Sequence, residues 1–321
     1  MHKHLPGLAA LIAVSALTLA GCSAPAETPE PTADGELTHI SVAALPIVET
    51  SALWGAIKAG VFEDHGLDVE VVPAQGGAQA IPALLNGDIQ FAIGQPFGPF
   101  RAELQDLGIT ILTNYASSLE EGPDVNAVVA SAASGITDIA DLAGKRVSVN
   151  SLGAAGDVTI KAAVEAAGGD ASTIQFVEVA FPDAAAQLDA GNIDAAWVPE
   201  PFVSQIVGGG GTLVMYPYQE TIPGLPLLVT FTTAGLVSSD PDLVDSFSDA
   251  MTDALQWATD NEADVRQAIK DNLEVPDAVA DSVPLPTFTA ELDKDKIKAL
   301  GELAVEVGVL DEAPDFDKLY R

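Results

Sequence analysis

Short runs rich in β-branched residues alternate with Ala-rich helical runs, and this alternation occurs twice along the chain. The first series covers residues 39–115 and the second covers residues 126–198. Alternation at such spacing is typical of right-handed βαβ units, whose parallel strands form a sheet with helices on both faces. The sequence therefore predicts an α/β protein with two lobes, each a mainly parallel sheet flanked by helices.

The end of the chain has a different pattern, in which helices follow one another. After a strand-like run at 227–237, apolar residues recur every three or four positions over 241–258 and again near 291–307. Asp240 is a suitable N-cap for the first of these helices, with Pro241 at its first position. A purely helical tail must pack on an existing lobe, and we expect it to return to the first one.

These patterns divide the folded part into two lobes joined by two crossings of the chain. We expect lobe 1 to comprise residues 37–125 plus 235–321, and lobe 2 to comprise residues 126–234 including the hinge strands. Two crossings between compact lobes form a hinge, and a hinge between two lobes leaves a cleft.

The first 36 residues have the pattern of a targeting segment. Residues 1–21 combine a basic start, an apolar run and small residues, which is the layout of a secretory signal peptide. The stretch LTLAGC ends at Cys22, the single cysteine, and resembles a bacterial lipoprotein signal in which that cysteine is lipidated. The alternative is a plain signal peptide with an accidental cysteine. Residues 22–36 are acidic and Pro-rich, which predicts a disordered tether. We therefore expect an extracytoplasmic protein, lipid-anchored to the cell membrane.

Charge narrows the range of partners. The chain holds 47 acidic and 13 basic residues, a formal net charge of −34. Such a negative field repels nucleic acid and anionic lipid headgroups, so neither is expected as a partner. It says little about a small ligand, because charges farther away than about 8 Å are screened at physiological salt. We interpret the acidity as favouring solubility and expect a monomer.

Three stretches in order resemble a known family. They are LWGAIKAGVFEDHGLDVEVVPAQGGAQAIPALLNGDIQFAIG at 53–94, DIADLAGKRVSVN at 138–150 and LDAGNIDAAWVPEPF at 188–202. They resemble the periplasmic solute-binding proteins of the nitrate, sulfonate and taurine type, which also include binders of thiamine pyrimidine precursors. The resemblance covers residues 39–237. It implies the type II periplasmic-binding-protein architecture and a receptor that closes on a small solute and delivers it to an ABC permease and its ATPase.

The binding site is expected at the carboxyl ends of the strands, where helix N-termini direct free N–H groups into the cleft. The loops at these ends contribute the following candidate ligand-binding residues: Glu49, Thr50, Ser51, Gln75, Gly76, Gly77, Gln95, Asn150, Ser151, Gly153, Phe181, Trp197 and Glu200. For each loop the alternative is a purely connecting role. Trp197 fits a place in the core equally well, because aromatic residues at the end of a buried strand usually pack there.

The charges in these loops bear on the ligand. The loops contain no Lys or Arg, and we expect Arg101, Arg146 and Lys161 on outward faces. They do contain the carboxylates of Glu49 and Glu200, and a carboxylate in a closed cleft is costly unless it is paired. This favours an aminosulfonate or an aminopyrimidine-like vitamin precursor over inorganic anions and simple sulfonates. The alternative is that either glutamate faces solvent or caps a helix.

An enzyme is the other class to weigh. Beyond the signal the chain has only His39 and His65, and it shows no metal-ligand spacing, nucleophile elbow or Walker-type loop. The nearest enzymatic alternatives are a pyrimidine-synthase-like protein on the same fold and a hydrolase with Glu49 and Glu200 as acid and base. We expect a binding protein without catalytic residues, cofactor or metal.

Overall fold

The computed structural model describes residues 37–321, which form one compact unit. The predicted signal peptide, the anchor Cys22 and the tether lie outside the described residues. Within 37–321, no helix is both long and apolar enough to cross a membrane.

The described residues form eleven strands and thirteen helices, apart from short 3₁₀ turns. The strands are β1 (Thr38–Ala44), β2 (Leu67–Pro73), β3 (Phe91–Gly94), β4 (Ile109–Ser117), β5 (Asn126–Ala130), β6 (Arg146–Val149), β7 (Gln175–Glu178), β8 (Ala195–Pro199), β9 (Thr212–Met215), β10 (Pro226–Thr233) and β11 (Thr287–Phe288). The helices are α1 (Ser51–Lys58), α2 (Val61–Asp64), α3 (Gly77–Asn86), α4 (Phe97–Glu103), α5 (Ala155–Ala166), α6 (Ala184–Asp189), α7 (Phe202–Gly208), α8 (Pro217–Thr221), α9 (Ala234–Ser239), α10 (Pro241–Asp260), α11 (Glu262–Asn272), α12 (Asp277–Ala280) and α13 (Lys294–Glu306).

The strands form two sheets with the same internal order. The first sheet runs β11-β4-β10-β3-β1-β2 and the second runs β7-β6-β8-β5-β9. In the first sheet β1, β2 and β3 are parallel, and in the second β6, β7 and β8 are parallel. Each sheet also holds one long antiparallel strand beside its third parallel strand, β10 in the first and β5 in the second. The predicted two-lobed α/β class is confirmed.

Each of these two antiparallel strands pairs in one lobe, although the strand that precedes it in the chain belongs to the other lobe. β5 follows β4 of the first sheet but pairs with β8 and β9, and β10 follows β9 of the second sheet but pairs with β3 and β4. The two connecting segments touch, because the Ser118 N–H donates to the Leu225 carbonyl at 2.9 Å. The lobes are therefore joined by two neighbouring crossings.

The placement of β10 differs from the expected lobe boundary at residue 234. The sequence assigned 228–234 to the second lobe, whereas its hydrogen bonds put β10 in the first sheet. A run of apolar and β-branched residues indicates a buried strand but carries no information on which sheet accepts it. The strand also ends earlier than the run at 227–237, because the Thr233 hydroxyl caps α9 by accepting from the Leu236 N–H. We propose that the return crossing occupies residues 222–225.

Local signals set several element ends as predicted. Gly66 and Gly87 adopt positive φ angles of 75° and 79°, a region that favours glycine, and each lies between a helix and the next strand. The side chain of Asp240 accepts from the Leu243 N–H, and Pro241 is the first residue of α10. These residues stop or start helices at positions that the sequence alone specifies.

The helical tail packs on the first sheet. The rings of Phe91 in β3 and Phe247 in α10 stack with centroids 3.7 Å apart, and both side chains are buried. We expect Phe247→Ala to lower the free energy of unfolding by about 3–5 kcal/mol, because it removes a buried ring and leaves a cavity. Urea denaturation measures this, with the exposed Asp249→Ala in the same helix as a control that stays within about 0.5 kcal/mol of the parent. Equal losses in both variants would contradict the packing described.

Candidate ligand-binding site

A cavity lies between the two sheets, where the carboxyl ends of their parallel strands face each other. The volume inside it that the centre of a water-sized sphere can reach is about 40 Å³. Both lobes contribute to its wall, which consists of Leu45, Ile47, Glu49, Gly76, Gly77, Ala78, Gln79, Gln95, Phe97, Gly98, Asn126, Asn150, Ser151, Ala154, Phe181, Trp197, Pro199, Tyr218, Leu227 and Leu228. This is the position at which open α/β sheets bind ligands.

Eight of the candidate site residues line this cavity. They are Glu49, Gly76, Gly77, Gln95, Asn150, Ser151, Phe181 and Trp197. Trp197 is 2% exposed, so it serves as core and as cavity wall together. The cavity brings together residues that lie as much as about 150 positions apart in the sequence.

The other five candidates lie outside the cavity wall. Thr50 and Ser51 are buried and use their hydroxyls to cap the turn before α1, donating to the carbonyls of Leu45 and Val48. The Gln75 carbonyl accepts from the side chain of Asn150 at 3.1 Å.

Gly153 and Glu200 also make hydrogen bonds outside the cavity. The Gly153 carbonyl accepts from Arg101 at 2.7 Å. The Glu200 carboxylate is buried and accepts from the backbone and the hydroxyl of Ser204, so it caps the first turn of α7. That is the helix-capping alternative considered for this residue.

Sequence reasoning missed the wall residues of the crossing strands and of α8. Asn126 begins β5, Leu227 and Leu228 begin β10, and Tyr218 lies in α8. Asn126 carried a signal, since it is a polar residue at the start of an otherwise apolar strand. The others had none, because a buried Leu or Tyr reads as core.

The start of α3 brings free backbone donors to the cavity. Gly77 and Gly94 pack so closely that a Cβ atom on Gly77 would lie 2.8 Å from the Gly94 Cα. The absence of a Cβ atom at Gly77 therefore allows α3 to approach the end of β3 closely. The cap residue Gly76 has no side chain to accept from the first turn. Within 37–321, the N–H groups of Gly77 and Ala78 donate no hydrogen bond, so they are available to an acceptor.

The start of α5, across the cavity, is already capped by a carboxylate. The Asp157 oxygens accept from the N–H groups of Gly153 and Ala154, each at 2.7 Å, and the Ala155 N–H donates to the Gln95 side chain at 3.3 Å. Asp157 is 5% exposed. Its charge occupies the place that an anion would take at this helix, which makes the second lobe a poor anion site.

Glu49 is the most unusual group in the wall. Its side chain is buried; Oε1 accepts from the Asn126 amide at 3.3 Å, and Oε2 has no partner among the described residues. Burial raises the pKa of Glu49 to about 8, and the neighbouring carboxylates of Asp124 and Glu200 add to this effect. Among the described residues, no Lys or Arg lines the cavity. The cavity therefore presents an unpaired carboxyl group without a cation to neutralise it.

Aromatic side chains complete the wall. Phe97, Phe181, Trp197 and Tyr218 all line it, and the rings of Trp197 and Tyr218 meet edge to face with centroids 6.3 Å apart. The Trp197 Nε1–H is buried and has no acceptor in the described part of the chain. A ligand with an aromatic ring and both donors and acceptors would satisfy these groups together.

Direct bonds hold the two lobes against each other. Besides the Arg101–Gly153 and Asn150–Gln75 bonds, Lys161 donates to the Val307 carbonyl at 3.4 Å. The expectation that Arg101 and Lys161 lie on outward faces was wrong, because each side chain crosses between lobes. Arg146 instead pairs with Asp194 at 2.8 Å within the second lobe and is partly exposed.

The chain belongs to a known protein family. The model of the NMT1/THI5-like family matches residues 49–264, which is about two thirds of the chain. A curated relative, the formylaminopyrimidine-binding protein of Halalkalibacterium halodurans, is 24% identical over 212 residues. The matched part covers 65% of this chain and 62% of the relative, so the match spans less than two thirds of that protein.

Solved structures share the fold at low sequence identity. The alkanesulfonate-binding protein SsuA from Xanthomonas axonopodis pv. citri has a TM-score of 0.75 at 15% identity, covering 90% of this chain and 99% of its own. The desulfurization enzyme DSZB has a TM-score of 0.64 at 18% identity, covering 88% and 96%. The fold therefore occurs both in binding proteins and in an enzyme, so the class of function has to be inferred from the residues of the site.

Proposed function

We propose that this protein is the extracytoplasmic substrate-binding component of an ABC importer, and that its ligand is a small aminated heteroaromatic compound of the aminopyrimidine class. Family membership, the two-lobed fold and the cavity between the lobes support the role in transport. The unpaired Glu49 carboxyl inside an aromatic-lined cavity is the observation that carries the ligand class.

An amino-substituted pyrimidine complements this site group by group. Its ring nitrogen and adjacent amino group form a donor–acceptor pair that matches a carboxyl group. The faces of Phe97, Phe181 and Trp197 suit a planar ring. The free N–H groups of Gly77 and Ala78 suit an acceptor at the far end of the ligand. A taurine-like zwitterion would satisfy the charges but would leave the aromatic walls unused.

The site argues against the enzymatic alternative. A hydrolase that used Glu49 and Glu200 would need both carboxylates at the substrate, and only Glu49 lines the cavity. The wall otherwise presents amides, the hydroxyl-bearing Ser151 and Tyr218, the Trp197 indole, apolar side chains and backbone groups.

A ligand screen tests the proposed function. Thermal shift of the purified protein with aminopyrimidines, aliphatic amines, taurine, alkanesulfonates and nitrate should show stabilisation by aminopyrimidines first, followed by calorimetry for affinity. Ligand at 100 times its Kd adds about 2.7 kcal/mol of stability, which such a screen detects. Stabilisation by nitrate or simple sulfonates alone, or by no compound, would overturn the proposal.

The proposed anchor at Cys22 has a direct test. Cys22→Ser removes the acceptor thiol, so we expect the protein to move from the membrane fraction to the soluble extracytoplasmic fraction of its host. Ser23→Ala is a matched control that should stay in the membrane fraction. A parent protein that is already in the soluble fraction would favour a plain signal peptide, and retention of Cys22→Ser in the membrane fraction would contradict an anchor at this thiol.

A further inference from the structure

A second hollow adjoins the cavity and has a different chemistry. It is a groove in which the centre of a water-sized sphere can reach about 310 Å³, with apolar side chains from both lobes. The first lobe supplies Pro46, Pro73 and Ala74, and the second supplies Ala180, Pro182 and Phe202. Polar atoms enter the wall only through Gln75, Asn150 and the backbone.

The groove and the cavity share part of their walls. Leu45, Ile47, Asn150 and Phe181 line both spaces. Glu49 and Trp197 line the cavity alone, so the polar groups lie at one end and the apolar groove at the other. The two spaces therefore adjoin each other across these four shared side chains.

A row of aromatic rings connects the two spaces. Trp197 in the cavity lies 5.7 Å from Phe181, centroid to centroid, and Phe181 lies 6.1 Å from Phe202 with ring planes 30° apart. Phe202 is partly exposed, and the three prolines of the groove are exposed. Apolar surface of this kind, formed between two lobes and open to water, gains stability when an apolar group covers it.

We propose that this groove is a subsite for an apolar substituent of the same ligand, a short alkyl or aryl group that leaves the cavity past Phe181. The inference rests on the proposed function, since the ring that carries the substituent is held in the cavity. It makes the natural ligand larger than an unsubstituted aminopyrimidine. Closing the lobes would then bury the substituent between the prolines of the first lobe and Phe202 of the second.

A homologous series measures the subsite. Calorimetry with 4-amino-2-methylpyrimidines that carry a methyl, propyl or pentyl group at C5 gives Kd along the series. Each methylene that enters the groove should tighten binding about fourfold, from a transfer free energy of about 0.8 kcal/mol. The propyl compound has two more methylenes than the methyl compound and should therefore bind roughly 15-fold tighter.

Filling the groove should remove this gain. Ala180→Leu adds bulk in the groove and leaves the cavity wall untouched, so the methyl compound should keep its Kd within about twofold while the longer compounds lose their advantage. Ala133→Leu is an exposed Ala→Leu change elsewhere in the second lobe and should retain the full series.

Any of the following outcomes would overturn the proposal of a subsite. If the methyl compound binds but affinity is flat along the series, the groove does not hold the substituent and the proposed function stands. A gain that persists in Ala180→Leu also places the substituent elsewhere. A flat series combined with loss of uptake in Ala180→Leu would assign the groove to permease contact. If no member binds, the proposed function fails and the subsite fails with it.

Discussion

Replacing Glu49 with leucine is expected to weaken binding of an aminopyrimidine by roughly 30- to 150-fold. Leucine is similar in size but can neither donate to the ring nitrogen nor accept from the amino group, as the protonated carboxyl does. Two neutral hydrogen bonds of about 1–1.5 kcal/mol each give the stated loss. Calorimetry of Glu49→Leu against the parent measures it. Glu49→Gln should stay within about threefold of the parent, because its amide N–H donates and its amide oxygen accepts in the same pattern.

Glu200→Leu is the matched control, because this second buried glutamate bonds to Ser204 and does not line the cavity. We expect its affinity to stay within about threefold of the parent. A similar loss in Glu49→Leu and Glu200→Leu would indicate a general effect on the fold rather than a contact with ligand. An unchanged affinity in Glu49→Leu would remove Glu49 from the site and with it the argument for an aminated ligand.

The stability of Glu49→Gln shows whether the variant folds. Burial raises the pKa of Glu49 to about 8, so the folded protein holds this proton more tightly than the unfolded chain does. The carboxyl therefore costs stability progressively as pH rises from about 4.5 to about 8, where the unfolded chain would ionise freely. Removing it should raise the melting temperature above that of the parent at pH 8–9.

The second large effect is a difference in pH profile between two classes of ligand. An alkylammonium ion such as that of butylamine needs the carboxylate, so below pH 8 its binding must release the proton of Glu49. Its affinity should rise about tenfold per pH unit from pH 6 to about 8 and then level off. A neutral aminopyrimidine instead pairs with the protonated carboxyl, so its affinity should be flat up to about pH 8 and fall above it.

The Glu49→Gln variant distinguishes Glu49 from the other titratable groups around it. Burial raises the pKa values of Asp124 and Glu200, and it raises those of Tyr115 and Tyr218 above their ordinary range. Among the described residues, no cation lines the cavity with them. Calorimetry at pH 6, 7, 8 and 9 with both compounds measures the profiles, and both should become flat in Glu49→Gln. An aminopyrimidine affinity that rises between pH 6 and 8 would contradict the proposed protonation state.

Much of the fold is predictable because local patterns in the sequence specify it. Gly66, Gly87 and Asp240 mark the ends of helices through their own backbone and capping preferences, and each does so in the structure. The repeated strand–helix alternation predicted two lobes because a βαβ unit is specified within a few dozen residues.

The features that the sequence could not predict depend on contacts between residues that are far apart in the chain. The sheet that accepts β10 depends on strands more than a hundred residues earlier, and Arg101 meets Gly153 only because the lobes close. For the site, the loops at strand ends followed from the topology, which placed Glu49, Asn150 and Trp197 correctly on the cavity wall. Tyr218, Leu227 and Leu228 were missed because a buried Tyr or Leu looks like an ordinary core residue in the sequence. Glu200 was misplaced because a carboxylate in a loop looks the same whether it caps a helix or faces a ligand.

The exchange of strands between the lobes has a mechanical consequence. The two crossing strands start at the cavity, so Asn126 on one side and Leu227 and Leu228 on the other form its floor. A bound ligand would therefore contact the crossing strands as well as the two facing lobes. The thickness of the ligand would limit how far the two lobes can close. A permease that contacts both lobes would then detect the size of the ligand through the angle between the lobes.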